Sequence, residues 1–292
     1  MPRYSLPNVE RMPVTDSSRH KRRRVVLVAF QTGWPGELIG PMDFLNEANV
    51  FLNNSGHADW GYDLEVVSTQ AGPLFSQGGL TISVDRTYKE VRGDVDTLIV
   101  HPVDDEEACL NDPDFIRWLR TMSGQVRRLA TVCVGTYVLA QAGLLNGRRA
   151  TTHWAACEDF KQRYPEVRLD PDPIYIKDGH IYTSAGATSG LDMTLALIEE
   201  DFGKELALRV AQGMVMFLKR PGNQSQFSVQ ISNPLPESRS FDELRAYIAD
   251  HPDAELNVES LADRVGMSPR NFSRVFTKQM GMSPGRFVEI AR

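Results

Sequence analysis

Cysteine is scarce in this chain and forms no recognisable pattern. The three copies, Cys109, Cys133 and Cys157, are an odd number and include no C-x-x-C pair. This argues against a disulfide framework and against a zinc site, and it fits a reducing cytoplasm, where we expect the protein to reside. The glycine-rich loops that hold nucleotide phosphates are also missing. We therefore expect neither a metal nor a cofactor.

Long apolar runs are missing too: no stretch of about 18 apolar residues occurs, so we expect no transmembrane helix. Residues 1–23 lack the apolar centre of a signal peptide and predict a disordered basic tail. The run His20–Arg24 is typical either of a solvated tail or of a nucleic-acid contact. With 292 residues, 41% hydrophobic and 24% charged, the chain is long enough for two globular domains.

The stretch VESLADRVGMSPRNFSRVFTKQMGMSP, residues 258–284, has the pattern of two short helices joined by a tight turn. Gly266 ends the first helix, because glycine adopts a left-handed backbone at little cost. Ser268 is placed to cap the second helix and Pro269 to begin it. The apolar positions are Leu261, Ala262, Val265, Phe272, Val275, Phe276 and Met280. This is the layout of a helix-turn-helix, whose second helix enters the major groove of DNA.

Positive charge is concentrated in the same part of the chain. Between Arg264 and Arg292 the single acid is Glu289, whereas the whole chain has 32 Lys+Arg against 38 Asp+Glu. A basic segment in an acidic protein favours phosphate binding. The polar face of the second helix consists of Arg270, Ser273, Arg274 and Lys278. An ordinary helical hairpin with a solvated basic face is the alternative.

The segment ADRVGMSPRNFSRVFTKQMGMSPGRFVEIAR resembles the first half of an AraC-type DNA-binding domain, down to the G-x-S/T-P-x-x-F/Y motif after the second helix. The resemblance implies that Arg270, Ser273 and Arg274 face base edges, while Lys278 lies nearer phosphate. AraC-type domains carry two helix-turn-helix units on a long linker helix, and this chain stops early in that linker. We therefore expect residues 241–292 to be a truncated domain with the first helix-turn-helix only.

Residues 24–219 alternate strand-like and helix-like segments. The predicted strands are Arg24–Phe30, Tyr62–Ser68, Thr81–Asp85, Asp96–His101 and Arg127–Cys133, and the predicted helices are Leu38–Leu52, Pro113–Met122 and Thr136–Leu145. Such alternation predicts an α/β domain with a mostly parallel sheet and helices on both faces. Residues 220–240 follow, rich in proline, serine, asparagine and glutamine, and predict a linker.

The segment ATVCVGTYVLAQAGLL places Cys133 at the end of a strand, with Gly135 just beyond it and an apolar helix from Thr136. A nucleophile elbow has this shape, a strained strand-to-helix turn that projects one side chain above the sheet. A thiol in that place lies near a helix N-terminus, which favours the thiolate. The alternative is a buried structural cysteine, a common fate of this residue type.

Residues 24–218 resemble the PfpI/ThiJ branch of the class I glutamine-amidotransferase-like superfamily, in the form that GlxA-like regulators join to an AraC-type domain. The similar segments are ATVCVGTYVLAQAGLLNGRRATTHW, YTSAGATSGLDMTLALIEEDFG and FLKRPGNQSQFS. The resemblance implies a flavodoxin-like domain that senses a ligand and dimerises. It also implies that Glu37 takes the place of an acidic residue that hydrogen-bonds the elbow cysteine in the superfamily.

The same resemblance argues against catalysis. Peptidase-like members put histidine directly after the cysteine, where this chain has Val134. Glutaminases need a later histidine and glutamate, and Ser184–Gly190 offers neither. We therefore expect no catalytic residue. The residues predicted to line a ligand pocket at the carboxyl ends of the strands are Glu37, Cys133, Val134, His153 and Trp154.

Together these inferences predict a cytoplasmic, homodimeric transcription regulator that binds promoter DNA and a small effector. The resemblance implies activation more often than repression, and nitrogenous effectors such as amino acids or quaternary amines. One alternative is a cysteine-dependent hydrolase or hydratase of the isonitrile-hydratase kind. Another is a dimerisation scaffold whose pocket is vestigial.

Overall fold

The computed structural model of the chain describes residues 22–76, 79–101, 110–218, 224, 244, 247, 248, 251, 254, 256–280 and 282–291. The chain divides into two units, Met1–Ser225 and Gln226–Arg292. Most of the predicted tail and of the predicted linker lies outside the described residues, as does Cys109. The domain boundaries at residues 23, 219 and 240 therefore stay predictions.

The first unit is built on a six-stranded sheet in the order β2-β1-β5-β6-β10-β9. Neighbouring strands run parallel, except that β9 is antiparallel to β10. The described strands are β1 (Arg23–Ala29), β2 (Tyr62–Ser68), β3 (Gly72–Phe75), β4 (Thr81–Val84), β5 (Thr97–Val100), β6 (Arg128–Val132), β7 (Arg149–Ala150), β8 (Arg168–Leu169), β9 (Tyr175–Asp178) and β10 (Ile181–Ser184). The predicted α/β class with a mostly parallel sheet is confirmed.

Helices cover both faces of this sheet, also as predicted. The described helices of the first unit are α1 (Pro35–Asn54), α2 (Pro113–Ser123), α3 (Thr136–Gln141), α4 (Cys157–Arg163), α5 (Ala187–Phe202) and α6 (Lys204–Gly213). One apolar cluster takes residues from α1, α5 and α6, and the other from α2, α3 and α4. The strands β1, β5 and β6 are mostly apolar because they are buried on both faces. Within the residues described, no helix is both long and apolar enough to cross a membrane.

Two predicted elements differ from the structure. The predicted strand Thr81–Asp85 exists as β4, but it pairs antiparallel with β3 in a separate two-stranded hairpin. No sequence pattern indicated β3. The predicted helix Thr136–Leu145 already ends at Gln141. Gly143 follows with a left-handed backbone, φ 71°, which is incompatible with a continuing helix.

The arginines at the start of β1 are ion-paired. Arg22 pairs with Asp63 and Arg24 pairs with Glu65, each across to β2. These pairs hold the first strand against its neighbour. The described end of the run His20–Arg24 therefore lies in the folded unit.

The second unit is held together by an apolar cluster to which its helices contribute. Its longer described helices are α7 (Val258–Arg264), α8 (Pro269–Met280) and α9 (Pro284–Ala291). Gly266 has the predicted left-handed backbone, φ 67°, between α7 and α8. The Asn271 N–H donates to Ser268 Oγ at 3.4 Å, so Ser268 caps α8 as predicted. Phe272 and Phe276 are fully buried. The predicted pair of helices and their turn are confirmed.

Candidate functional site

Cys133 lies in a strained turn directly after β6. Its φ is 56°, a left-handed value that non-glycine residues adopt only at a cost. A short 3-10 turn, Cys133–Gly135, leads from the strand into α3. The side chain is half-buried. This is the geometry of a nucleophile elbow, so the predicted turn is confirmed. Whether the thiol is reactive or structural stays a prediction.

Gly135 lets this turn pack tightly against the strand beside it. A Cβ atom at this position would lie 3.1 Å from Val100 O and 3.3 Å from His101 C, and it would overlap Thr131 Oγ1. The turn therefore sits directly on the ends of β5 and β6. A larger residue would force the elbow, and Cys133 with it, away from the sheet.

The carbonyl oxygen of Cys133 is held from two sides. Thr136 Oγ1 donates to it at 3.0 Å from within α3, and Thr152 Oγ1 donates to it at 3.1 Å. The second bond ties the elbow to the segment Thr151–Thr152–His153–Trp154. Neither threonine was predicted from the sequence, although Thr152 directly precedes His153 in the TTHW motif.

His153 is half-buried next to this tie. Its Nδ1 accepts a hydrogen bond from the Ala155 N–H at 3.3 Å, which assigns the proton of the neutral ring to Nε2. Burial lowers the pKa of His153, so the ring is neutral at physiological pH. The Nδ1 lone pair is thus engaged in a hydrogen bond, and Nε2 carries the proton. Trp154 follows with its ring centroid 5.4 Å from that of His153.

Glu37 and Val134 complete the predicted pocket set. Glu37 is buried in the first turn of α1. Its neighbour Leu38 belongs to the apolar cluster against which Cys133 packs. Val134 packs against the cluster on the opposite face of the sheet. Cys133 and Val134 thus pack against clusters on opposite faces of the sheet. A role for Val134 in lining the pocket stays a prediction.

Cys157 differs from Cys133 in its surroundings. It is buried at the start of α4, and its Sγ donates to the His153 carbonyl at 3.5 Å. Burial raises the pKa of this thiol. In the part of the chain that the structure describes, no group of three or more His, Cys, Asp or Glu residues is arranged to hold a metal ion.

Gln224 belongs to the first unit although it lies in the range predicted as linker. Its side chain is 2% exposed, and Nε2 donates to Thr151 Oγ1 at 2.9 Å and to Thr152 O at 3.1 Å. The chain is thus tied to the elbow segment one residue before the first unit ends. No pattern in the sequence pointed to this contact.

The predicted DNA-contacting residues lie on α8. Arg270 and Arg274 are exposed, one helical turn apart, on the side away from the buried Phe272 and Phe276. Arg274 Nη2 donates to Asn271 Oδ1 at 2.8 Å, so the guanidinium is oriented within the same face. Ser273 is half-buried, and the side chain of Lys278 lies outside the described residues. Contacts of all four with DNA stay predictions.

A cysteine elbow on a parallel sheet, followed along the chain by a helix-turn-helix, defines a two-domain DNA-binding protein. Residues 23–200 match the DJ-1/PfpI family, and residues 248–289 match the bacterial regulatory helix-turn-helix proteins of the AraC family. The chain belongs to the DJ-1/PfpI family, and it is an AraC-family transcription regulator that carries such a domain. The predicted resemblance is confirmed.

Similar proteins agree with this assignment. The HTH-type transcriptional regulator CdhR of Pseudomonas aeruginosa is 30% identical over 235 residues, which are 80% of this chain and 68% of CdhR. An isonitrile hydratase of Pseudomonas putida is 31% identical over 137 residues, 46% of this chain and 58% of that enzyme. A ThiJ/PfpI family protein from Pseudomonas syringae has the same fold, with a TM-score of 0.58, 22% identity, and coverage of 72% of this chain and 84% of that one.

Proposed function

We propose that the DJ-1/PfpI-type domain of this regulator is a non-catalytic sensor that binds a small effector and forms a homodimer in the cytoplasm. The effector changes how the helix-turn-helix binds promoter DNA, with activation as the output. Nitrogenous metabolites such as amino acids or quaternary amines are the first effectors to test. The observation that carries this proposal is the strained elbow, which presents the half-buried thiol of Cys133 at the carboxyl edge of the sheet.

Nucleophilic catalysis by a thiol needs a base that can accept its proton. Val134 follows the elbow cysteine, and His153 has its Nδ1 lone pair engaged by the Ala155 N–H. The strained turn still presents a half-buried thiol at the carboxyl edge of the sheet, where open α/β folds bind ligands. Binding without turnover is what this combination supports.

The contact of Gln224 with Thr151 and Thr152 supports coupling to the DNA-binding domain. A ligand that shifts the elbow segment changes the hydrogen bonds that Gln224 Nε2 donates to Thr151 and Thr152, and the chain continues from there toward the helix-turn-helix. Coupling requires an element with two arrangements whose balance the ligand alters. The buried amide of Gln224 is our choice for that element.

The alternative is cysteine-dependent hydrolysis or hydration, and the similarity to an isonitrile hydratase is the observation that favours it. Turnover of an isonitrile that is lost on Cys133→Ala would support this enzyme function. The helix-turn-helix and the engaged His153 argue against it.

Replacement of the exposed arginines tests the DNA interface. Arg270→Ala and Arg274→Ala should each weaken binding to the cognate operator by about 1–3 kcal/mol and relax the preference at one base position. Both side chains are exposed, so the fold should persist. Lys278→Ala should weaken binding to all DNA sequences alike. It should also reduce the slope of log affinity against log salt concentration by about one. A binding-site selection with each variant measures this, and full sequence preference in both arginine variants contradicts our recognition face.

Replacement of the elbow cysteine tests the sensor. Cys133→Ser should leave folding and basal DNA binding nearly unchanged, because the thiol is half-buried and packs against an apolar cluster from outside its core. It should alter the response of DNA binding to candidate metabolites, measured as operator affinity with and without each compound. Mild peroxide followed by mass spectrometry should modify Cys133 before Cys157, whose burial raises its pKa. Selective oxidation of Cys157 or Cys109, with Cys133 intact, would make Cys133 a packing residue.

A further inference from the structure

The basic face of α8 contains a hydrogen bond between two of its side chains. Arg274 Nη2 donates to Asn271 Oδ1 at 2.8 Å, and the two residues are three positions apart. A guanidinium has donors only, so the amide of Asn271 must turn its oxygen toward Arg274. Residues three apart on a helix lie side by side on its surface. The contact is therefore made within α8 itself and does not depend on another element.

Asn271 is the fixed partner in this contact. Its N–H donates to Ser268 Oγ at 3.4 Å, at the cap of α8, and it directly precedes the fully buried Phe272. The backbone that carries the amide is thus held by the cap and by the core below it. Arginine has more rotatable bonds than asparagine and loses more entropy when it is ordered. The hydrogen bond therefore mainly restricts the side chain of Arg274.

Two other arginines on helices of this protein have partners of a different kind. On α2, Arg117 Nη1 donates to Asp114 Oδ1 at 2.9 Å, with the same spacing of three residues. On α6, Arg209 Nη2 donates to Glu205 Oε1 at 2.8 Å. A carboxylate at this distance offsets the positive charge of its arginine, whereas an amide carries no charge. Arg274 is therefore oriented without being neutralised.

The rest of the Arg274 guanidinium is available to a ligand. The side chain is exposed, and its other N–H groups have no hydrogen-bond partner among the described residues. Parallel N–H groups of a guanidinium match the O6 and N7 acceptors of guanine in the major groove. Phosphate oxygens accept the same donors, but a contact with phosphate carries no sequence information. An arginine that is oriented before binding suits the contact that requires a defined geometry, which is the one with guanine.

We propose that Asn271 is a positioning residue for base recognition, whose amide holds the Arg274 guanidinium ready to read one guanine and leaves its charge intact. This rests on the proposed function, because it needs α8 to be the helix that enters the major groove. It adds the base that Arg274 reads and the residue that prepares the contact. Ordering a side chain before binding reduces the entropy lost on binding, and DNA without the guanine does not benefit.

The test measures the affinity of the full chain for a set of DNA duplexes. The reference duplex carries the tightest sequence from a binding-site selection with the unaltered protein, and in the others each G·C pair is replaced by A·T in turn. Asn271→Ala should lower the preference for one guanine by about two- to tenfold, because Arg274 must then be ordered on binding. Affinity for the duplex that lacks this guanine should stay the same. Alanine is favourable in helices, so the fold should persist.

A double-mutant cycle separates positioning from an independent contact. In the Arg274→Ala background, Asn271→Ala should have no further effect on the guanine preference, because both changes act on one contact. Arg270→Ala is the matched control, since it removes a neighbouring exposed arginine that has no described hydrogen bond to Asn271. In that background Asn271→Ala should keep its full effect.

Asn271→Asp tests the need for a neutral partner. The carboxylate keeps the shape and the acceptor of the amide, so the guanine preference should be retained. Its charge offsets that of Arg274, as Asp114 does for Arg117. Affinity for every duplex should fall, and the slope of log affinity against log salt concentration should decrease by about one. With Asn271→Ala the slope should not change, because the charge of the protein is the same.

Three results would overturn the proposal. Asn271→Ala keeps every base preference, or it weakens binding to all duplexes alike, or it still lowers the guanine preference in the Arg274→Ala background. Unchanged affinity and salt slope in Asn271→Asp would show that neutrality of the partner has no role. Failure of the proposed function looks different, because Arg274→Ala itself would then change no base preference, and the proposal would fall with it. Far-UV circular dichroism of each variant checks that the helices are retained.

Discussion

Replacing Asp201 by alanine should destabilise the first unit by about 3–5 kcal/mol, the cost of leaving buried charges without their partner. The Asp201 carboxylate is completely buried at the end of α5. It forms ion pairs with Arg127 at 2.7 Å and with Arg128, whose side chain is 3% exposed. The Tyr62 hydroxyl donates to it at 2.9 Å, and burial together with the Asp201 charge raises the pKa of Tyr62 well above its usual value.

Urea unfolding monitored by tryptophan fluorescence measures this loss, because all four tryptophans of the chain belong to the first unit. The matched control is Asp63→Ala, which breaks the ion pair with Arg22 at a side chain that is 58% exposed. That variant should cost no more than about 1 kcal/mol. Equal losses in the two variants would mean that burial of the Asp201 cluster has no special energetic role.

Replacing Phe276 by alanine should destabilise the second unit by about 3–5 kcal/mol, the usual cost of emptying a buried aromatic position. Phe276 is fully buried, with its ring centroid 5.3 Å from that of Phe272 and 5.5 Å from that of Phe287. The Phe272 and Phe287 rings lie on α8 and α9, so the substitution removes the contact that joins them. Small domains have a low free energy of unfolding, so this loss should unfold the second unit. Operator binding should be lost with its fold.

Two probes locate this effect. Far-UV circular dichroism should show helix loss at lower urea, while the tryptophan transition of the first unit stays unchanged. Arg274→Ala is the control, because an exposed substitution should change stability by less than about 0.5 kcal/mol while still weakening DNA binding. A variant Phe276→Ala that unfolds at the same urea concentration as the unaltered chain contradicts the assignment of this core.

The helix-turn-helix was predictable from the sequence because its signals are local. Gly266, Ser268 and Pro269 lie within four residues of one another, and each acts on the backbone beside it. The alternating faces of α8 follow from the helical period alone. The α/β class was predictable for a similar reason, since strands buried on both faces are continuous apolar runs wherever they occur.

The hairpin of β3 and β4 was only half predictable. Thr81–Val84 reads as a strand from its own residues, whereas Gly72–Phe75 contains glycine and proline and does not. The extended conformation of Gly72–Phe75 is decided by its pairing with β4. The end of α3 was missed in a similar way, because the apolar pattern continues past Gly143 although the backbone turns there.

The sequence by itself determined where the functional residues lie along the chain. An elbow cysteine follows a buried strand, and a helix with a basic face lies near the end of the given sequence. Tertiary structure alone decided which atoms surround them. Thr152 reaches the Cys133 carbonyl from 19 residues away, and Arg128 reaches Asp201 from 73 residues away. His101 directly follows a buried strand, and only the packing of the sheet decides that its ring has no hydrogen-bond partner among the described residues. Hydrogen-bond partners and burial depend on segments that the parallel register brings together, and no short-range pattern records that register.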